Sequence, residues 1–433
     1  MLDGELNGEN LLRAAFRAAI AAADPLELPA HVFPEPPVGR LVVVGAGKAA
    51  AAMALAAERH YGERFGSECL AGGLVVTRYG HGLKEGEKLA RIRVIEAAHP
   101  VPDAAGLAAA REIHALAASL GENDLLLCLL SGGGSALLTA PEGVSLEEKA
   151  ALTKALLRSG ADIREMNSLR KHLSSLKGGR LAAAAAPARV VSLIISDVAG
   201  DDLSSVASGP TAPDPTTYED ALAVLDRYGL DFPAARAQLE RGARGELAET
   251  PKEGDAVFER VENRLVATAQ DALEAAARAF ESQGVTPLIL ADAVTGEARE
   301  VGKVFAAITS QVLRHGQPLP RPCALLSGGE TTVTVRGEGK GGRNSEFLLS
   351  FALELGMPDG VYALAADSDG IDGFSDAAGA LVGPDLFARV ERDAAKHCLE
   401  NNDSYSLFEK SGALIKTGPT RTNVNDLRFI LVR

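Results

Sequence analysis

Five segments of the chain place charged or hydroxyl side chains beside glycines at the ends of apolar runs. The first is GAGKAAAAMA, Gly45–Ala54, which follows LVVV. Gly45 and Gly47 let backbone N–H groups face an anion at a helix N-terminus. Lys48 puts a positive charge where the helix dipole already disfavours cations, a conflict that a bound anion would resolve. The competing account is a glycine turn carrying a solvated lysine. The G-x-G-x-x-A spacing is close to a dinucleotide fingerprint, but no strand ending in Asp or Glu follows about twenty residues later. GxxxxGK[ST] is absent, so this is no Walker loop.

The second segment is SGGGSALL, in which Ser131, Gly132, Gly133, Gly134 and Ser135 precede a helical stretch. Three glycines and two hydroxyls can form a nest for a phosphate or carboxylate; plain turn chemistry accounts for them equally well. The words return near Gly328 and Gly329 in LLSGGET, although SALL reads as helix and TTVTV as strand. The third segment is REMNSLRKHLSSLKGGRLA, Arg164–Ala182. Met166, Leu169, Leu173 and Leu176 repeat at helical spacing and predict a buried stripe, with Arg170 and Lys177 seven apart on one face. From Arg164 to Arg180 there are five Lys/Arg against one Glu. That local inversion in an acidic chain points to an anionic ligand, against the usual meaning of a solvated charged face.

The fourth segment, IISDVAGDDLSSVASGPTAPDPT, puts Asp197 directly after a buried-strand run, where a metal ligand or general base would sit. Asp201 and Asp202 follow, in residue types that turns also favour. The fifth comprises RGEGKGGRNSEF, with Lys340 and Arg343, and AADSDGIDGFSDAAGA, with Asp367, Asp369, Asp372 and Asp376. The spacing is not that of an EF-hand; hard oxygen ligands beside phosphates suit Mg²⁺. Glycine nests, scattered cations and strand-end carboxylates are the parts that phosphoryl transfer asks for, since it needs positioning and charge stabilisation more than covalent chemistry. The eight histidines show no metal spacing, and His99 and His172 read as structural. SGGGS is not the G-x-S-x-G elbow of serine hydrolases.

These segments need strands to hold them. LVVV, GLVVT, DLLLCLL, VVSLIIS, PLILA, CALLS and VYALAA are apolar runs ending in glycine, serine or aspartate, with helical stretches between many of them, which predicts α/β layers. TTVTV and RFILV read as antiparallel members of a mixed sheet. At 433 residues the chain is too long for one ordinary core. The proline-bearing stretch and the polar run GELAETPKEGD place a domain boundary near residues 244–256, giving domains 1–244 and 256–433.

A net charge of −14, 4% aromatic residues and no tryptophan argue against nucleic acid and anionic membranes as partners. The four scattered cysteines make no zinc or disulfide framework. The N-terminal stretch MLDGELNGENLLRAAFRAAIAAADP reads as an amphipathic helix with no signal peptide, and no run is long enough to span a membrane. A cytoplasmic enzyme is expected.

At these segments the sequence resembles the class II glycerate kinases, the glycerate 2-kinase family with a C-terminal MOFRL-type domain. The strings that carry the resemblance include VVGAGKAA, HPVPDAAG, LLSGGGSALL, REMNSLRKHLSSLKGGRLA, ISDVAGDDLSSVASGPTAPDPTT, LSGGETTVTVRGEGKGGRNSEF, DSDGIDG and KTGPTRTNVNDLRFILV, from about residue 41 to the C-terminus. The resemblance implies ATP- and Mg²⁺-dependent phosphorylation of D-glycerate, usually to 2-phosphoglycerate, and two α/β domains flanking a cleft. The N-terminal one is expected to be a Rossmann-like α/β/α layer domain and the C-terminal one an α/β domain with a mixed sheet. It implies functional roles for Lys48, Asp197 and Arg343. Residues expected to touch nucleotide or substrate are Gly45, Gly47, Ser131, Gly132, Gly133, Gly134, Ser135, Lys177, Gly328 and Gly329. Asp197, Asp367 and Asp369 are the expected metal ligands. ATP and D-glycerate are the expected small-molecule partners, and a homodimer is a candidate assembly. Members have also been labelled hydroxypyruvate reductases, so a nicotinamide-dependent reductase is the alternative, and a non-enzymatic anion-sensing module the third reading.

Overall fold

The structure is a computed structural model that describes residues 7–433. Residues 1–6 of the expected N-terminal helix lie outside the described residues. The rest of it is the helix Gly8–Ala22, capped by Asn7, whose side chain accepts the N–H groups of Glu9 and Asn10.

The first compact unit comprises residues 25–196 and 201–266. Its strands are β1 (Leu41–Ala46), β2 (Leu70–Arg78), β3 (Ile92–Ala97), β4 (Leu125–Leu130), β5 (Arg189–Ile195) and β6 (Val261–Ala267). They form one sheet in the order β3-β2-β1-β4-β5-β6, and β1 to β5 run parallel. This is the strand order of a doubly wound, Rossmann-like layer. The central strands β1 and β4 are buried along their whole length, which is why they read as unbroken apolar runs. The charged strands β3 and β6, IRVIEA and VENRLVA, lie at the two edges and escaped the sequence reading for that reason.

The second unit comprises residues 7–24, 197–200 and 267–433 of the described chain. Its strands are β7 (Thr286–Ala291), β8 (Gly296–Glu297), β9 (Cys323–Gly329), β10 (Thr331–Thr332), β11 (Val361–Asp367), β12 (Gly379–Val382), β13 (Leu414–Ile415) and β14 (Asp426–Val432). The larger sheet has the order β13-β12-β11-β14-β9-β7. Only its β7–β9 pair is parallel, so the sheet is mixed, and RFILV lies in the antiparallel strand β14 as expected. TTVTV does not join it. Thr331 and Thr332 alone make a short parallel pair with β8, and the Thr334 N–H is taken by the Glu297 side chain.

The compact units depart from the division 1–244 and 256–433. The helix Gly8–Ala22 buries Leu11, Leu12, Ala15, Phe16 and Ala19 and packs on the helix Ala269–Glu281 of the second unit. Its start fits closely: a methyl group on Gly8 would lie 2.4 Å from the Tyr362 ring. The stretch chosen as a linker is built into the first unit. Glu249 accepts from His172 at 2.9 Å and Thr250 donates to Asp214 at 3.0 Å. Proline and glycine there mark turns whose polar groups are satisfied internally.

Candidate functional site

Because β1 and β4 are neighbours in register, Ala46 opposite Leu130, the two glycine segments that follow them emerge side by side. They interlock. Ser131 N–H donates to the Ala46 carbonyl at 3.1 Å, Lys48 N–H to Gly132 at 2.8 Å, and Ala49 N–H to Ser131 Oγ at 3.0 Å. Gly47 is required here: its φ is +138°, and an added methyl group would lie 2.1 Å from Ser131 Oγ. Gly133, with φ +81°, lies under the His99 ring and the Lys48 stem, which a methyl group would meet at 3.2 and 3.4 Å. Among the described residues the N–H groups of Gly132 and Gly133 meet no protein acceptor. The helix Ala50–Phe65 begins at Ala49 with no side-chain cap. Lys48 therefore stands at a loop whose free donors suit an oxyanion.

Lys177 reaches the same loop by a route that helical spacing did not foresee. The helix Ile163–His172 ends at its C-cap Leu173, and a new one, Arg180–Ala185, starts after Gly178 and Gly179, both at positive φ. Arg170 and Lys177 are thus not on one helix face. Lys177 is fully buried and donates to the Leu138 carbonyl. Lys149, on the helix Leu146–Ser159, is 6% exposed and donates to the Leu173 carbonyl at 3.0 Å. Arg170 donates to Asn167 Oδ1 at 3.4 Å, and that oxygen also accepts from Ser208 at 3.0 Å. Ser208 in turn lies 2.8 Å from the Ser135 hydroxyl, tying the cluster to the SGGGS loop. Burial lowers the pKa of all three cations. For Lys149 it acts with Arg170 and brings the value to about 7; for Lys177 it acts with Lys149 and Arg170 and brings it well below the ordinary lysine value. Lys149, Asn167, Thr139 and Ser208 were missed. For Lys149 a signal existed: it sits on the buried helical stripe of Leu152, Thr153 and Leu156, a place a lysine takes only for a reason.

Asp197 and Arg343 belong to the second unit. One short segment, Asn423–Asp426, holds both. Asn423 Nδ2 donates to Asp197 Oδ2 at 3.0 Å, and Asn425 donates to the Asp197 carbonyl. Asp426 Oδ1 accepts from Arg343 Nε at 2.8 Å. In the β11–β14 ladder Asp367 and Asp426 face each other directly, a like-charge pair that would be unfavourable alone. Arg343 resolves it by also donating from Nη2 to Asp367 at 2.9 Å, while Nη1 donates to Glu330 at 2.5 Å. Burial opposes the guanidinium charge, but Asp426, Asp367 and Glu330 outweigh it, and its pKa lies well above the ordinary value. Asn423, Asn425 and Asp426 lay within a family string but were given no role in the sequence reading.

Several of the remaining expected residues make packing or capping contacts. Gly328 and Gly329 lie inside β9, where a methyl group on Gly329 would meet Val294 N at 2.2 Å; close backbone packing accounts for them, and they form no open nest. Asp372 is buried and caps the helix Arg343–Leu355, accepting the N–H groups of Asn344 and Ser345 at 3.0 and 2.9 Å. Asp376 accepts from Tyr405 and Lys416, and Asp202 from Ser204 and Ser205. His172 is engaged by the Ser168 carbonyl and Glu249. For the expected metal set, carboxylate is the right donor type, but Asp367 Oδ2 is ion-paired with Arg343 and its Oδ1 accepts the Asp369 N–H at 3.0 Å. Among the described residues no group of three or more His, Cys, Asp and Glu side chains is arranged to hold a metal. Asp197, Asp367 and Asp369 thus do not form a preassembled metal centre. None of the described helices is long and apolar enough to cross a membrane.

The comparisons with known proteins agree with this architecture. A family model described as a domain of unknown function, DUF4147, matches residues 11–240, and the MOFRL family model matches residues 323–426. A protein of Agrobacterium vitis provisionally named hydroxypyruvate reductase is 51% identical over 99% of this chain and 95% of its own. The D-glycerate 2-kinase of Thermotoga maritima is 43% identical over 96% of both chains. The crystal structure of a glycerate kinase from the same organism superimposes with a TM-score of 0.86 at 41% identity, covering 98% of this chain and 99% of that one. Matched over nearly its whole length in sequence and in fold, the chain belongs to the class II glycerate kinase family.

Proposed function

We propose that the protein is a glycerate 2-kinase that transfers the γ-phosphoryl group of ATP to the 2-hydroxyl of D-glycerate, giving 2-phosphoglycerate and ADP. The observation that carries this reading is the near full-length relationship to the D-glycerate 2-kinase of Thermotoga maritima, together with an anion-suited loop around Lys48. In the reaction the substrate hydroxyl oxygen attacks the γ-phosphorus, the bond from that phosphorus to the bridging oxygen breaks, and ADP departs. Asp197 takes the hydroxyl proton, its carboxylate oriented by Asn423. Lys48 and the SGGGS amides offset charge on the transferring group, in a role that acts through preorganised donors. Arg343 pairs with an anionic oxygen of substrate or phosphate. Magnesium is expected to arrive with the nucleotide phosphates, and no step is assigned to a protein-held metal.

The reductase reading draws on the provisional name of the Agrobacterium relative. Against it, β2 ends in Thr77-Arg78 and offers no carboxylate for the ribose of NAD, although an arginine there is compatible with a 2′-phosphate. One assay separates the two. Incubation with D-glycerate, ATP and Mg²⁺, followed by NMR identification of the product, should give 2-phosphoglycerate and ADP. Oxidation of NADH or NADPH by hydroxypyruvate, without ATP-dependent phosphorylation, would overturn the proposal.

A further inference from the structure

We propose that Lys149, Arg170 and Lys177, together with Asn167 and Thr139, form a buried subsite for one oxyanion of the reactants. The inference rests on the kinase reading for the identity of the reactants, and on this chain's own geometry for the site. Lys149 reaches the Leu173 carbonyl, Lys177 the Leu138 carbonyl and Arg170 the Asn167 side chain, and among the described residues none of the three cations is ion-paired with a carboxylate. Lys149 and Lys177 are buried and Arg170 is half-buried; burying uncompensated like charges is costly, so such a cluster calls for an anion. The donor count agrees. A lysine ammonium has three donors and a guanidinium five, yet each of these three side chains makes one hydrogen bond to the protein. Two further polar groups point to the same need: Asn167 Nδ2 and Thr139 Oγ1 are buried, at 2% and 1% exposure, and have no hydrogen-bond partner among the described residues. The network Ser135–Ser208–Asn167–Arg170 then connects the subsite to the glycine loop beside Lys48.

The shared chemistry is a compact oxyanion, which the glycerate carboxylate or a nucleotide phosphate can supply. Calorimetric binding of D-glycerate, of glycerol as the carboxylate-free control, and of Mg·ATP to wild type, Lys149→Met and Arg170→Gln distinguishes them. Loss of a charge-assisted contact should weaken one ligand roughly 10- to 100-fold and leave the other unchanged. Weakened glycerate assigns the carboxylate, and weakened nucleotide assigns a phosphate; either supports the subsite. Affinities for both within about twofold of wild type, in folded variants, would overturn it and leave the cations as caps of backbone carbonyls. Asn167→Asp provides a second arm that keeps side-chain size. Its carboxylate should raise Tm by relieving the cations while weakening the same ligand; unchanged Tm and unchanged affinity would also overturn the subsite. Binding measurements stand apart from turnover. A wild-type protein that binds these anions but makes no phosphoglycerate would refute the kinase reading and not the subsite.

Discussion

Arg343 is held by three carboxylates, and Glu330, 2.5 Å from its Nη1, is the exposed one of the three. The Glu330 side chain is 53% exposed, against 5% for Asp367 and none for Asp426. Asp367 and Asp426, both buried, fix the guanidinium in place, and Glu330 takes Nη1. If Arg343 meets an anionic reactant, the exposed Glu330 is the partner expected to give way. Glu330→Gln is expected to lower KM for the ligand that Arg343 meets by a few-fold, with kcat little changed. Steady-state kinetics in both substrates would check this. A raised KM would mean that Glu330 orients Arg343 and does not compete for it.

Lys48→Ala is expected to lower kcat by about 10² to 10³ with Tm nearly unchanged, the cost of losing one preorganised charge contact. Turnover and melting of the same preparation are the measurements. Near-normal turnover would return Lys48 to a solvated turn.

Asp197→Asn should lower kcat by about 10² to 10⁴, as expected for loss of a general base. Arg343→Ala should be severe as well. If both act in one transition state, the double variant should be little worse than the harsher single one. Fully additive losses would separate their roles. Asn423→Ala, which frees Asp197 Oδ2 of a donor, should give a milder loss and a shifted pH–rate profile.

Lys149 gives a pH dependence with a definite sign. Its folded value near 7 lies below the ordinary lysine value of 10.5, so between these limits the unfolded chain binds the extra proton. The penalty from this residue is complete below about pH 7 and is relieved as pH rises toward 10.5. Lys149→Met should therefore raise Tm more at about pH 6 than at about pH 9.5, by a few degrees. Thermal melts across that range test it; an equal shift at both ends would place the ammonium in a compensated environment.

Asp372→Ala should destabilise the second unit. It removes the acceptor of the Asn344 and Ser345 N–H groups and of the Ser345 hydroxyl, at a helix whose N-cap is a glycine. The expected loss is about 1–3 kcal/mol, visible as a Tm lowered by several degrees. A Tm within a degree of wild type would show that water replaces the cap.

Sequence alone determined the α/β class, most of the strands and the loops that carry Lys48, Ser131 and Asp197. Buried parallel strands must be continuously apolar, and glycine must follow them where the chain turns against a neighbour, so LVVVGAGK and LLSGGGS are legible without a structure. Edge strands such as VENRLVA are half solvated and lose that signature. The tertiary structure decided what periodicity cannot encode. Leu173 and Leu176 keep helical spacing although the helix has stopped at His172, and beyond it Lys177 donates to the Leu138 carbonyl. The compact units likewise follow contacts that composition does not carry. Composition marks Pro/Gly-rich segments as linkers, whereas the contacts of Glu249 and Thr250 build this one into the first unit, and the apolar stripe of Gly8–Ala22 carries the N-terminal helix to the second. The Arg343 cluster joins distant positions, Arg343 and Asp426 alone being 83 apart. Its partners are set by strand register between β11 and β14, a long-range property that local sequence does not carry.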